Sequence, residues 1–239
     1  MHDLRWTMPV ARWSATAAAV AADISFIEPI VRRRLSSLSR IALKVAHDCV
    51  AERDRVRVVF ASRHGELRRT TDILCAIRAG EPVSPTAFSL SVLNAMTGIF
   101  GIARGDRSPA SAISAGPETL GYALLEAHAQ FAADPSSPVL MVYADEPADA
   151  AYGTIEDEVQ GGALAILLDT HAAAGRLACT ISGTEGRFAA PASTLAPAPA
   201  HDNFRTQSEA LQCCLGTHAP AAWQNAGTTW QWSWHEGAA

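Results

Sequence analysis

Apolar residues recur along this chain with two periods. Residues 36–52 place Leu38, Ile41, Val45 and Cys49 at helical spacing, and Ser36, Ser37 or Ser39 can cap the start, which predicts an amphipathic helix. Residues 56–61 (Val-Arg-Val-Val-Phe-Ala) read as a buried strand, Ser62-Arg63-His64-Gly65 as a turn and 66–78 as the next helix. A proline-bounded loop at 81–85 leads to a helix over 90–104, whose Ala95, Gly98 and Gly101 permit close packing. After a turn at 105–109, residues 110–114 form a strand of small side chains and 118–132 a helix. Strands follow at 139–144, 162–168 and 177–182, the last two joined by a hairpin-like connection through Gly175, with an acidic loop at 145–158. The segment 14–22 reads as a short surface helix and 24–30 as an irregular apolar stretch containing Pro29. Residues 188–200 are alanine, proline and serine, a loop or linker. A last helix over 204–215 precedes a strand at 228–234, where Trp230, Trp232 and Trp234 share one face. That stripe either fills a core or forms an interface patch. Strands alternating with helices predict a layered α/β fold, a mixed sheet with helices on its faces.

Within this pattern one segment points to chemistry. Residues 111–125 run Ser-Ala-Ile-Ser-Ala-Gly-Pro-Glu-Thr-Leu-Gly-Tyr-Ala-Leu-Leu. A short strand meets Gly116-Pro117 and a helix follows, the shape of an elbow that lifts a side chain onto a helix N-terminus, where free N–H groups and the helix dipole favour negative charge. Acyl-transfer enzymes place a Cys or Ser at such a point. The cysteines here are Cys49, Cys75, Cys179, Cys213 and Cys214, none of them in the segment. Gly116 also has a plain reading, a glycine that ends a strand with Pro117 opening the helix.

Composition narrows the rest. With 49% hydrophobic and 18% charged residues over 239 positions, the chain has enough apolar material for a sizeable core. A net charge of −5 supplies no basic field for nucleic acid or anionic lipid, although arginines cluster at Arg32-Arg33-Arg34 and Arg68-Arg69, where a solvated surface is the simplest reading. Five scattered cysteines without a CxxC suggest neither a disulfide framework nor a metal site, and fit reduced thiols in the cytoplasm. Arg5 and Arg12 ahead of the alanine run at 15–22 imitate a secretory signal, but Trp6, Trp13 and Asp23 flank it and a cytosolic surface helix is expected. No stretch is long enough to span a bilayer. The acidic residues Asp145, Glu146, Glu156, Asp157 and Glu158 lack ligand spacing and read as a solvated loop, so neither a metal nor a cofactor is expected.

From about residue 24 to 183 the chain resembles the N-terminal half of a β-ketoacyl synthase, which has the thiolase fold. Four pieces carry the likeness in order: Arg34-Leu35-Ser36-Ser37-Leu38-Ser39-Arg40-Ile41-Ala42-Leu43; Val58-Val59-Phe60-Ala61-Ser62-Arg63-His64-Gly65-Glu66; Ser84-Pro85-Thr86-Ala87-Phe88-Ser89 through Asn94-Ala95; and Gly161-Gly162-Ala163-Leu164-Ala165-Ile166-Leu167-Leu168. The resemblance implies a first part over 1–187 and, over 188–239, a linker, helix and tryptophan strand completing the same domain. Two departures stand out. Ketosynthases carry Thr-Ala-Cys or similar at the elbow, whereas this chain has Ser114-Ala115-Gly116. The family's two catalytic histidines belong to a C-terminal half that this sequence does not show.

The nearest likeness is to chain length factors of aryl-polyene and related polyketide or fatty-acid clusters. It implies a non-catalytic subunit paired with a full-length ketosynthase that supplies the cysteine and histidines. Acyl carrier protein would be the second partner. Phe88, Met96, Phe100 and Ile113 would meet the acyl tunnel or the subunit interface, or else simply pack the core. Two alternatives remain open: a self-sufficient acyltransferase or hydrolase using Ser111, Ser114, His64 or His128, and a homodimeric scaffold binding acyl carrier protein. Half of a two-half fold leaves an apolar layer without its mate, to be covered by the C-terminal tail, a partner or both.

Overall fold

The computed structural model describes residues 3–18, 20–50, 53–183 and 204–237. Its centre is an eight-stranded mixed sheet. In chain order the strands are β1 (Leu4–Ala17), β2 (Arg57–Ala61), β3 (Ala110–Ile113), β4 (Val139–Asp145), β5 (Gly162–Leu168), β6 (Gly175–Gly183), β7 (Ala221–Asn225) and β8 (Thr228–Glu236). Across the sheet they run β3-β2-β4-β5-β1-β6-β8-β7. β2 pairs in parallel with β3 and β4, and the remaining neighbours are antiparallel.

The helices are α1 (Pro29–Arg32), α2 (Ser37–Val50), α3 (Leu67–Ala79), α4 (Pro85–Ser89), α5 (Ala95–Arg104), α6 (Thr119–Ala133) and α7 (Gln207–Thr217). Strand parity sorts the core into two layers. In β4 the odd residues Val139, Met141 and Tyr143 face α6 and α7, while the even residues Leu140, Val142 and Ala144 face α2 and α5. The expected layered α/β architecture is what forms.

Several elements depart from the sequence reading. Residues 14–17 are not helical. They end β1, because pairing of Ser14, Ala15 and Thr16 with Ala165, Leu164 and Ala163 of β5 overrides the helix preference of alanine. The earlier part of β1 shows the strand period plainly, with Trp6, Met8 and Val10 buried on alternate residues. The connection through Gly175 is not a hairpin: β1 lies between β5 and β6 and pairs with both. α5 starts at Ala95 rather than 90, and the short helix α4 fills part of the preceding stretch. β7 adds a strand before β8, the two joined through Ala226-Gly227. The alanine–proline segment at 188–200 lies outside the described residues.

The C-terminal elements cover the face that α6 would otherwise leave open. α7 begins with a reciprocal capping box between Thr206 and Glu209. β8 carries Trp230 and Trp232 into the core, at 0% and 1% exposure, with Trp234 packed at its margin. The tryptophan stripe is therefore core. Trp230 lies against Gly121 of α6, where an added Cβ would come within 2.6 Å of the indole ring.

Candidate functional site

The carboxyl ends of β2, β3 and β4 meet at one edge of the sheet, the place where open α/β sheets gather their functional loops. The elbow stands there. Its strand, β3, ends at Ile113, and a 3₁₀ turn at Gly116–Glu118 leads into α6. Gly116 has φ +59°, a left-handed conformation that glycine adopts without cost, and an added Cβ there would meet no atom within 4 Å. The position a nucleophile would occupy is open and carries no side chain.

The turn is closed on itself electrostatically. Thr119 Oγ1 accepts from Ala115 N at 2.9 Å and donates to the Gly116 carbonyl at 2.7 Å. One N–H that could have faced an oxyanion is already satisfied. Ser114 Oγ donates to the Arg63 carbonyl at 3.1 Å, and Ser111 Oγ accepts from Gln130 Nε2 at 3.1 Å, so neither hydroxyl is held by a histidine. His128 sits about two and a half turns into α6, its ring 6.5 Å from that of Trp6, and burial lowers its pKa. It is not brought to the elbow. The buried thiols of Cys49, Cys179 and Cys214 are pushed up by desolvation, Cys49 to about 12 and Cys214 to about 11, the wrong direction for a nucleophile.

What the fold does gather is a polar network around the 62–65 turn. Asp145, the last residue of β4, is 1% exposed. This corrects its reading as part of a solvated loop. Its carboxylate accepts from Ser62 Oγ at 2.7 Å, Arg63 N at 2.7 Å and His64 N at 3.0 Å. Ser62 Oγ accepts in turn from Gly65 N at 2.8 Å. His64 Nε2 lies 2.7 Å from Glu158 Oε1. Burial pushes the Glu158 carboxyl up, but the His64 hydrogen bond and the Val159 and Ala148 N–H groups outweigh it and leave it below its ordinary value. Asp145 and Glu158 were legible only as members of an acidic run. The signal for Asp145 was its position directly after a continuous buried strand.

Beside this network opens a cleft of about 670 Å³ between Ser36–Leu38, the start of α3 and residues 146–149. Glu66, 8% exposed, lies in its wall and accepts 2.6 Å bonds from both Ser36 Oγ and Ser39 Oγ. Arg69 Nη2 donates to the Arg34 carbonyl at 3.0 Å, so the start of α3 is tied to the main chain of the first arginine cluster. Replacing Glu66 by alanine is expected to destabilise the fold by roughly 1–3 kcal/mol, since the buried Ser39 hydroxyl, the half-buried Ser36 hydroxyl and Arg69 lose their acceptor; thermal melting reads this, and an unchanged midpoint would contradict it.

The four candidate contact residues are not assembled together. Met96 and Phe100 are buried in the α2–α5 layer, Ile113 packs against the opposite layer, and Phe88 is 63% exposed on α4. Around Phe88 in sequence, Leu74, Ile77, Val92 and Ile102 are also exposed, Ile102 at 85%. α3 and α4 bury no residue at all. Among the described residues no group of three or more His, Cys, Asp or Glu could hold a metal ion, and no helix is long and apolar enough to cross a membrane.

The family model for the N-terminal domain of β-ketoacyl synthases matches residues 5–233. No curated protein is significantly similar to the chain. Among solved structures, the complex of the ketosynthase ApeO with its chain length factor ApeC from Xenorhabdus doucetiae contains a chain with TM-score 0.76 and 22% identity, the match covering 95% of this chain and 99% of that one. The ishigamide ketosynthase/chain length factor matches with TM-score 0.65 and 14% identity over 96% and 99%. A β-ketoacyl synthase from Burkholderia phymatum matches with TM-score 0.57 and 11% identity over 71% of this chain and 52% of that one. At these identities the likeness is one of fold.

Proposed function

We propose, because the chain belongs to the β-ketoacyl synthase N-terminal domain family, that it is the non-catalytic, chain-length-factor-like subunit of a ketosynthase pair. The observation that carries this reading is the elbow, where Gly116 supplies no nucleophile and Thr119 occupies the local N–H and carbonyl groups. In this reading a full-length ketosynthase provides the cysteine and histidines and joins an acyl chain to a malonyl unit on acyl carrier protein. This chain completes the far wall of the acyl tunnel, and residues 1–187 and 188–239 work as one domain. The thiolase-like fold and a match covering nearly all of a similar-sized chain in a ketosynthase–chain length factor complex support it.

The surface supports pairing as well. β3 is an edge strand, with its outer main-chain groups open to a partner. Ile102, Phe88, Ile77, Leu74 and Val92 are large apolar side chains exposed along 67–104, material that an interface could cover. Arg68 and Arg69, in the wall of the cleft, suit a partner presenting anionic groups, such as the phosphate-linked arm of a carrier protein.

The test is coexpression with a ketosynthase that carries an elbow cysteine. A one-to-one complex by light scattering is expected, with a cerulenin-type label on the partner only and no fluorophosphonate label on this chain. Ile102→Asp should weaken the complex by about tenfold or more while leaving the isolated chain's melting unchanged. A sharply melting monomer that ignores the ketosynthase, or a fluorophosphonate adduct at Ser114, would overturn the reading.

A further inference from the structure

Residues 146–161 leave β4 and return to β5 as an Ω-loop whose ends are held together by the Asp145–Gly162 pair of the ladder. Little apolar burial holds the loop. Val159 is buried, whereas most of 146–158 is exposed or half-buried. Polar pins do the holding: Gln160 bonds Glu209 of α7 near the loop's end, and the others gather on the 62–65 turn and α3. Arg63 donates to the carbonyls of Asp157 at 2.5 Å and Glu156 at 3.1 Å. His64 Nε2 meets Glu158 Oε1 at 2.7 Å, and the other oxygen of Glu158 accepts from Ala148 N at 3.3 Å, which ties the loop's two limbs together. Farther out, the Tyr152 and Thr71 hydroxyls bond at 2.6 Å, joining the loop's tip to α3 across the cleft.

We propose that residues 146–161 are a hinged strap that closes the 670 Å³ cleft, with His64–Glu158 as its latch and Thr71–Tyr152 as its outer clasp. The loop's first residues, Glu146 to Asp149, form one wall of that cleft, and Arg68, Arg69 and Thr71 form the wall opposite. The hinge lies at Gly161, φ +80°, where the loop rejoins the sheet, while Gly162 next to it is fixed in the ladder between Ala17 and Asp145. Glycine alone leaves that junction free to turn. The latch side is fixed, because Asp145 holds the Arg63 and His64 N–H groups rigidly at the end of β4. An element with few apolar contacts, held by separable polar bonds on a rigid base, opens as a unit before the core does. The strap is independent of any partner and does not rest on the subunit role proposed above.

Hydrogen exchange of the full chain, read by mass spectrometry at neutral pH, tests this. Glu158→Gln, Tyr152→Phe and the double variant are compared with the wild type. Each single change should speed exchange within 146–160, and the double variant should do so by about tenfold or more. Faster exchange should also appear at 66–69 on the facing wall, while amides of β4 at 139–144 stay protected. Unchanged exchange in the strap would overturn the proposal. So would exchange in β4 and β5 rising in step with it, since the loop would then be an inseparable part of the core.

Discussion

Trp230→Ala is expected to destabilise the isolated chain by about 3–5 kcal/mol, the range for truncating a large buried aromatic residue. Trp230 is fully buried, edge-on to Trp6 at 6.2 Å and to Tyr122 at 5.2 Å, and stacked beside Trp232 at 6.5 Å. Its indole N–H donates to Glu118 at 3.2 Å, at the 3₁₀ turn that begins the elbow. Truncation removes these contacts, leaves a cavity against the bare Gly121 backbone and frees the Glu118 carboxylate. For a domain of this size the melting midpoint should fall by roughly 6–20 °C. Gly121→Val should act from the other side, because its branched side chain has no room against the indole ring. Trp230→Phe keeps much of the packing and loses the N–H, so it should fall between. A wild-type midpoint for Trp230→Ala would mean that residues 204–237 are not what covers α6.

The packing of Trp230 on α6 bears on a need already visible in the sequence. A sheet layer resembling half of a larger fold needs cover, and the tail supplies it through α7, β7 and β8. The helix α7 and the strand β8 were legible because each carries its own period. β7 was not: Ala-Ala-Trp-Gln-Asn is too short and too mixed to show alternation, and becomes a strand only by pairing with β8. β1 was misread for a related reason. Alanine at 15 and 17 favours helix locally, and only the distant β5 edge makes it extended. The order of the sheet was out of reach altogether, since β1 from the chain's start inserts between β5 and β6.

The site divides in the same way. The elbow could be read locally as strand, Gly-Pro and helix, because each part is specified by neighbouring residues. His64 is separated along the chain from Asp145 and Glu158 by the strands and helices between them. Parallel pairing of β2 with β4 brings residue 61 beside 143 and so the turn at 62–65 onto Asp145. No local period encodes that meeting, and the acidic run around Asp145 pointed instead to solvent.

Asp145→Ala should be nearly as damaging as the loss of Trp230. Ser62 Oγ, Arg63 N and His64 N all donate to this one buried carboxylate, and the alanine variant leaves these donors without their acceptor. A buried neutral donor left without its acceptor costs about 1–3 kcal/mol, three donors lose theirs together, and the turn that carries the strap's latch should loosen with them. Asp145→Asn keeps one acceptor oxygen and should recover part of the loss. The pH dependence has a definite sign. Burial pushes the Asp145 carboxyl up, and the Arg63 and His64 N–H groups with the Ser62 and Tyr143 hydroxyls only partly oppose it. With its folded value above the unfolded one, the folded state holds the proton over a window where the unfolded chain has released it. The stability linked to this proton is fully present below the ordinary aspartate value and is lost as pH rises through the folded one. The midpoint gap between wild type and Asp145→Ala should therefore be widest below the ordinary aspartate value and narrow as pH rises through the folded one. Melting both proteins across that range decides it: a gap that widens with pH would show that the carboxyl titrates below its ordinary value, and no gap at any pH would show that the turn does not depend on Asp145.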